Sequence, residues 1–143
     1  MAKQTHRRRS LLLFAVPVLL LTGCTENAPS GTPVDVNLKD FGITPTEQTI
    51  AEGDVVFRVH NDAPVTHEFV VVRTDLPGDG LPLGPDGLSV NEEWLSAMGE
   101  ITATPARETA LLPLHLPPGH YVLFCNLEGH YLGGMHATIE VTG

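Results

Sequence analysis

Apolar and polar residues alternate at the period of an extended strand through most of the chain beyond Pro33. "VDVNL" (Val34 to Leu38) alternates strictly, and "DVVFRVHN" (Asp54 to Asn61) is rich in β-branched and aromatic residues. "HEFVVVR" (His67 to Arg73), "TALLPLHL" (Thr109 to Leu116), "HYVLFC" (His120 to Cys125) and "HATIEV" (His136 to Val141) continue the pattern. Turn residues separate these runs at Ala51-Glu52-Gly53-Asp54, Asn61-Asp62-Ala63-Pro64 and Pro117-Pro118-Gly119. Six or seven short strands over roughly a hundred residues predict an all-β fold, a Greek-key β-sandwich. A chain of this size buries about two-thirds of its unfolded surface, enough for a core without disulfides.

One stretch departs from the strand rhythm. Leu76 to Gly87 ("LPGDGLPLGPDG") reads as loop. Ser89 to Gly99 ("SVNEEWLSAMG") then predicts a short helix, with Ser89 and Glu92 as a capping box and Gly99 as its stop. Val90, Trp94 and Met98 would form its apolar stripe. The segment is expected to be a helical flap packed on the sandwich, with Met98 in packing rather than ligation.

The start of the chain has a different pattern. Lys3, Arg7, Arg8 and Arg9 precede an apolar run from Leu11 to Leu21, the layout of a signal peptide. The run is too short to span a bilayer. It ends in "LTGC", which resembles the bacterial lipobox, so Cys24 is expected to be lipidated after cleavage. "RRRSLLLF" also loosely resembles a twin-arginine signal. "TENAPSGT" (Thr25 to Thr32) has the composition of a tether. The expected organisation is a signal peptide at 1–23, a tether at 24–32 and one domain at 33–143.

Cleavage changes the charge. Four of the 8 Lys+Arg lie before Cys24 and all 17 Asp+Glu lie after it, so the chain from Cys24 onward carries −13. That excludes a nucleic-acid partner, which needs a basic face. It also excludes electrostatic docking on anionic lipid; membrane attachment would come through the lipid anchor. Export implies an oxidising compartment, yet there are only 2 Cys. With Cys24 lipidated, Cys125 has no partner and becomes a candidate ligand; the alternative is a Cys24–Cys125 disulfide.

The chemistry concentrates in "FCNLEGHYLGGMH", Phe124 to His136. Cys125, His130 and Met135 are spaced by four residues in each gap, with Gly129, Gly133 and Gly134 supplying backbone freedom. Strand alternation turns Cys125, Leu123 and Tyr121 toward the core, and Phe124, Val122 and His120 to the other face. A core-facing thiol ionises only beside a cation. Zinc sites rarely use a thioether. Two His and one Cys with a weak axial Met form the blue-copper arrangement. That set requires a second histidine, and His67 in "VTHEFVV" supplies it.

These pieces resemble the cupredoxin superfamily, and within it small exported azurin- and plastocyanin-like type 1 copper proteins. The matching segments are "VVFRVHNDAPVTHEFVVV", "LPPGHYVLFCNLEGHYLGGMHATIEV" and "EEWLSAMGEI", and they cover most of Val34 to Val141. The loop spacing is that of azurin- and rusticyanin-like members. The resemblance implies one copper ion, equatorial ligands at His67, Cys125 and His130, and a weak axial ligand at Met135. It also implies an apolar docking patch around His130, formed here by Leu127, Tyr131, Leu132 and Gly133. Glu68 stands where many members have Asn after the first histidine. That departure bears on local hydrogen bonding and on the reduction potential, not on the ligand set.

The expected function is one-electron transfer between extracytoplasmic redox proteins. The protein would be an anchored monomer in the periplasm or at the cell surface, with a basic cytochrome as partner. A copper chaperone or buffer is the alternative, but only Met98 and Met135 remain after Cys24. A copper enzyme would need further coppers, and Asn126 stands where a bridging His would follow the Cys. His60, His115, His120 and His136 are expected at the surface, and His6 belongs to the signal.

Overall fold

Nine strands form in the computed structural model, which describes residues 28–143. They are β1 (Thr32–Lys39), β2 (Gly42–Pro45), β3 (Thr49–Ala51), β4 (Gly53–Asn61) and β5 (His67–Arg73), followed by β6 (Ser96–Thr104), β7 (Thr109–Leu116), β8 (Gly119–Phe124) and β9 (His136–Thr142). The signal segment, Cys24 and the first tether residues lie outside the described residues. β1 starts at Thr32, so the sandwich begins one residue before the domain start read from the sequence.

The strands form two sheets. One has the order β2-β1-β4-β7, the other β3-β9-β8-β5-β6. Pairing is antiparallel except for β1 with β4 and β3 with β9. The inward residues of both sheets make one core, as alternation requires. Val34, Val36, Leu38, Phe57 and Val59 come from the first sheet; Phe69, Val71, Tyr121, Leu123 and Ile139 come from the second. Phe57 and Phe69 meet across the layers with ring centroids 5.6 Å apart.

The outer face of β5 and β8 is covered as well. Val70, Val72, Val122 and Phe124 pack under Leu81, Val90 and Tyr131 in a second buried cluster. Phe124 does point away from the main core, as alternation demands, but it is 0% exposed because the segment between β5 and β6 lies over it. This cover explains why β5 and β8 are apolar on both faces.

The flap is not the helix expected from Ser89 to Gly99. Only Glu92–Trp94 winds, as a single 3-10 turn without a side-chain cap, and Ser96–Thr104 is strand β6. The i, i+4, i+8 stripe dissolves: Val90 is buried against the outer face of β5 and β8, Trp94 is 73% exposed, and Met98 packs against the main core. β6 adds to the free edge of β5, with irregular register between His67 and Phe69 and between Val71 and Val72. A row of backbone hydrogen bonds along β5 outweighs the weak local preference for helix. Gly99 acts by its size rather than as a stop, since a Cβ there would lie 2.7 Å from Leu114 Cδ2 on β7.

Candidate metal centre

One end of the sandwich gathers the donors. His67 opens β5, and the turn before it is pinned from below. The buried Asn61 side chain donates to Val65 O and to Thr104 O, both at 2.7 Å, and accepts from Ala63 N at 3.0 Å. A polar side chain with its bonds made inside the core fixes the backbone around it. His67 thus enters the strand in a set position and is 1% exposed.

The other donors sit in the β8–β9 loop, which is closed by its own backbone. Cys125 N donates to Met135 O at 3.1 Å, and Met135 N donates to His130 O at 3.0 Å. Gly133 N donates to Gly129 O at 2.9 Å and Gly134 N to Tyr131 O at 3.0 Å. Gly129 and Gly134 take φ of 78° and 101°, which L side chains rarely adopt. The glycines flanking the ligands are what let eleven residues return to their starting point.

The loop is also gripped by the flap. Asn126 Oδ1 accepts from Val90 N at 2.6 Å, while its Nδ2 donates to Val90 O at 3.1 Å and to Glu92 Oε1 at 2.6 Å. Tyr131 donates its hydroxyl to Gly78 O at 2.8 Å and accepts from Leu81 N at 2.9 Å. Gly129 N donates to Leu88 O at 3.0 Å. Sequence reasoning missed these clamps, because nothing local links Asn126 or Tyr131 to a segment so far away in the chain.

At the centre, Cys125 Sγ is 3.6 Å from His130 Nδ1 and 4.0 Å from His67 Nδ1. The three donor atoms all lie within 4.8 Å of one another. The Glu68 backbone N–H points at Sγ from 3.4 Å. Met135 is 0% exposed and belongs to the same core cluster as Cys125. Burial pushes the Cys125 thiol up, opposed by the backbone N–H groups of Leu127 and Glu68. Burial likewise holds His67 below the usual imidazole range, against the pull of Asp40. A buried thiol kept neutral beside two converging imidazole nitrogens is a donor set that a soft, thiophilic cation completes: the cation favours the thiolate that burial opposes.

Glu68 is half-buried, and burial raises its carboxyl, helped by Glu92 and Glu100 and opposed by the Asn126 backbone N–H. The remaining histidines stand apart from the centre. His115 pairs with Asp54 at 2.9 Å, His60 with Asp62 at 3.1 Å, and His120 Nδ1 lies 2.7 Å from Thr74 O. His136 lies against Tyr131, with ring centroids 5.2 Å apart.

Of the residues expected to line a docking patch around His130, Tyr131 is not at the surface. Tyr131 is 3% exposed, because its ring lies under the flap against Phe124 and its hydroxyl is bonded there. Leu132 is 53% exposed and Gly133 is exposed, whereas Leu127 is half-buried against the core. Phe41, from the β1–β2 turn, joins them: it is 57% exposed and its ring centroid is 5.7 Å from that of His130.

No family model matches the sequence, and no curated protein matches it. Solved structures do match the fold. Reduced auracyanin from Roseiflexus castenholzii is 18% identical with a TM-score of 0.61, covering 80% of this chain and 99% of its own. Auracyanin A from Chloroflexus aurantiacus, described as a "blue" copper protein, is 22% identical with a TM-score of 0.55, covering 77% and 99%. Rusticyanin from Thiobacillus ferrooxidans is 16% identical with a TM-score of 0.55, covering 79% of each chain. The sandwich has the cupredoxin fold, shared with auracyanin, azurin and rusticyanin.

Proposed function

We propose that the protein is a one-electron carrier built on a single type 1 copper ion. His67 Nδ1, Cys125 Sγ and His130 Nδ1 would hold the ion, with Met135 as a weaker fourth donor. The observation that carries this reading is the convergence of one thiol and two imidazole nitrogens within 4.8 Å at the end of a cupredoxin sandwich. A copper ion held there would supply reversible Cu(I)/Cu(II) exchange, and a donor set that suits both states would require little rearrangement. The chain's own part is rigidity and dryness. Asn61 fixes one ligand loop, Asn126 and Tyr131 fix the other, and Cys125 is fully shielded from water. A chaperone or buffer would offer open donors, whereas His67, Cys125 and Met135 are all buried. The reading is of a carrier rather than an enzyme, with Asn126 where a bridging His would extend the site to further coppers.

His130, half-buried, is the ligand that reaches the surface. Phe41, Leu132 and Gly133 around it form an apolar contact face. Acids elsewhere give the chain from Cys24 onward its −13 charge. The partner that fits is a basic redox protein such as a cationic cytochrome, met by a monomer. Charge steers the encounter over a Debye length of about 8 Å at physiological ionic strength. Stopped-flow transfer to a basic cytochrome tests this. Leu132→Lys slows transfer even at high salt, while charge reversals away from the face matter only at low salt. Unchanged transfer in Leu132→Lys at high salt would mean that electrons leave elsewhere.

The same reading places the protein at an extracytoplasmic membrane surface, in the periplasm or on the cell exterior. Its signal at 1–23 would be removed, Cys24 lipidated, and the 33–143 domain carried on the 24–32 tether. The "LTGC" run at the end of the apolar segment motivates this. Mass spectrometry of the membrane-fraction protein should find a lipid on an N-terminal Cys24; an unmodified Cys24 sinks the anchor.

A further inference from the structure

We propose that Asp40 is the outer partner of the first histidine ligand: its carboxylate takes the proton-bearing nitrogen on the far side of the His67 ring, orienting the ring and tuning the centre. This rests on the copper reading above, although part of its test does not.

The far nitrogen, His67 Nε2, is buried and has no hydrogen bond in good geometry. Asp40 Oδ1 lies 3.4 Å from it without forming a hydrogen bond. The His67 side chain is 1% exposed and that of Asp40 51%. A small rotation of the freer Asp40 side chain completes the bond, and among the described residues no other partner satisfies this nitrogen. Ligating imidazoles generally give their second N–H to a carboxylate or carbonyl, which fixes both tautomer and ring orientation. With Nδ1 turned to Sγ, the proton belongs on Nε2, facing Asp40.

The local backbone is shaped to hold Asp40 there. Lys39 pairs with Gly42, so Asp40 and Phe41 are the two residues that reverse the chain between β1 and β2. Phe41 has φ of 59°, a conformation that non-glycine residues seldom adopt and that persists only where the surroundings impose it. Its ring lies on the ligand loop, where a Cβ on Gly133 would collide with Phe41 Cδ1. The β1–β2 turn therefore touches both histidines, with Asp40 at His67 and Phe41 at His130.

A carboxylate beside an imidazole ligand favours the more highly charged metal state, so Asp40 lowers the reduction potential. Two variants separate charge from geometry: Asp40→Asn keeps an acceptor oxygen without the charge, and Asp40→Ala removes both. Imidazole nitrogen NMR on the metal-free protein reads the tautomer. The wild type and Asp40→Asn should hold His67 with its proton on Nε2, and Asp40→Ala should show a mixture. Voltammetry on the copper-loaded protein reads the charge. Asp40→Asn should shift the preference toward Cu(I) by about tenfold, or about 59 mV for one electron. A single unchanged tautomer in Asp40→Ala overturns the proposal, as does an unchanged potential in Asp40→Asn. A simple loss of stability would move neither readout. If the wild type took up no copper, the tautomer measurement would still judge the Asp40 contact.

Discussion

Cys125→Ser is expected to fold normally and to lose all the intense visible absorption of the copper-loaded protein. The absorption requires a thiolate bonded to the metal, and Cys125 is the one free cysteine among the described residues. A serine hydroxyl does not ionise at neutral pH and is a hard donor, so both colour and affinity fall. The fold should survive, because the core around position 125 spans both sheets and the change removes little volume. Circular dichroism and a Cu(II) spectrum on the same sample check the two halves. An intense band that persists in the variant would place the thiolate bond elsewhere.

The second large effect is the contrast between His67→Ala and Met135→Leu. His67→Ala would remove one of the proposed donors and leave a hole where a side chain is 1% exposed. Outer-layer substitutions at metal sites cost about 10–100-fold in affinity, and loss of a direct ligand should exceed that. Met135→Leu conserves volume in a fully buried position, so the fold should lose no more than about 1.5 kcal/mol. In the proposed site the Met135 thioether would be the weakest donor and would set potential more than affinity. Met135→Leu should therefore stay coloured with a higher reduction potential, because Cu(II) loses an electron-rich donor. Competition with a chelator and voltammetry measure the two quantities. If Met135→Leu abolished copper binding while His67→Ala did not, the roles of the two residues would be reversed.

The strands most visible in the sequence were those with a simple physical pattern. β1, β4, β5, β7, β8 and β9 are β-branched or alternating and form within a residue or two of their expected ends. β2 ("GITP") and β3 ("TIA") are too short for any period to register, and they exist because neighbouring strands supply their hydrogen bonds. β6 ("SAMGEITAT") was hidden by the chance helical spacing of Val90, Trp94 and Met98. Only the open edge of β5, which no local pattern reveals, makes it a strand.

The site divides in the same way. Cys125, His130 and Met135 share one loop, so their spacing carried the chemistry. His67 had to be inferred from the need for another imidazole, and the fold brings its Nδ1 within 4.0 Å of Sγ. The supporting residues were not legible. Asp40, Phe41, Asn126 and Tyr131 act through contacts between distant segments, and each looks unremarkable beside its sequence neighbours. Tyr131 was misplaced for this reason: adjacent to an exposed leucine in the loop, it is buried by a flap whose path the sequence does not disclose.

The central claim is that one copper ion bonds to Cys125 between two histidines. Titrating the metal-free wild-type protein with Cu(II), while following visible absorption and bound copper together, tests it most directly. The account predicts an intense blue or green charge-transfer band that grows linearly and stops at one copper per chain. Copper binding without an intense band, or a band that keeps growing past one equivalent, would contradict it.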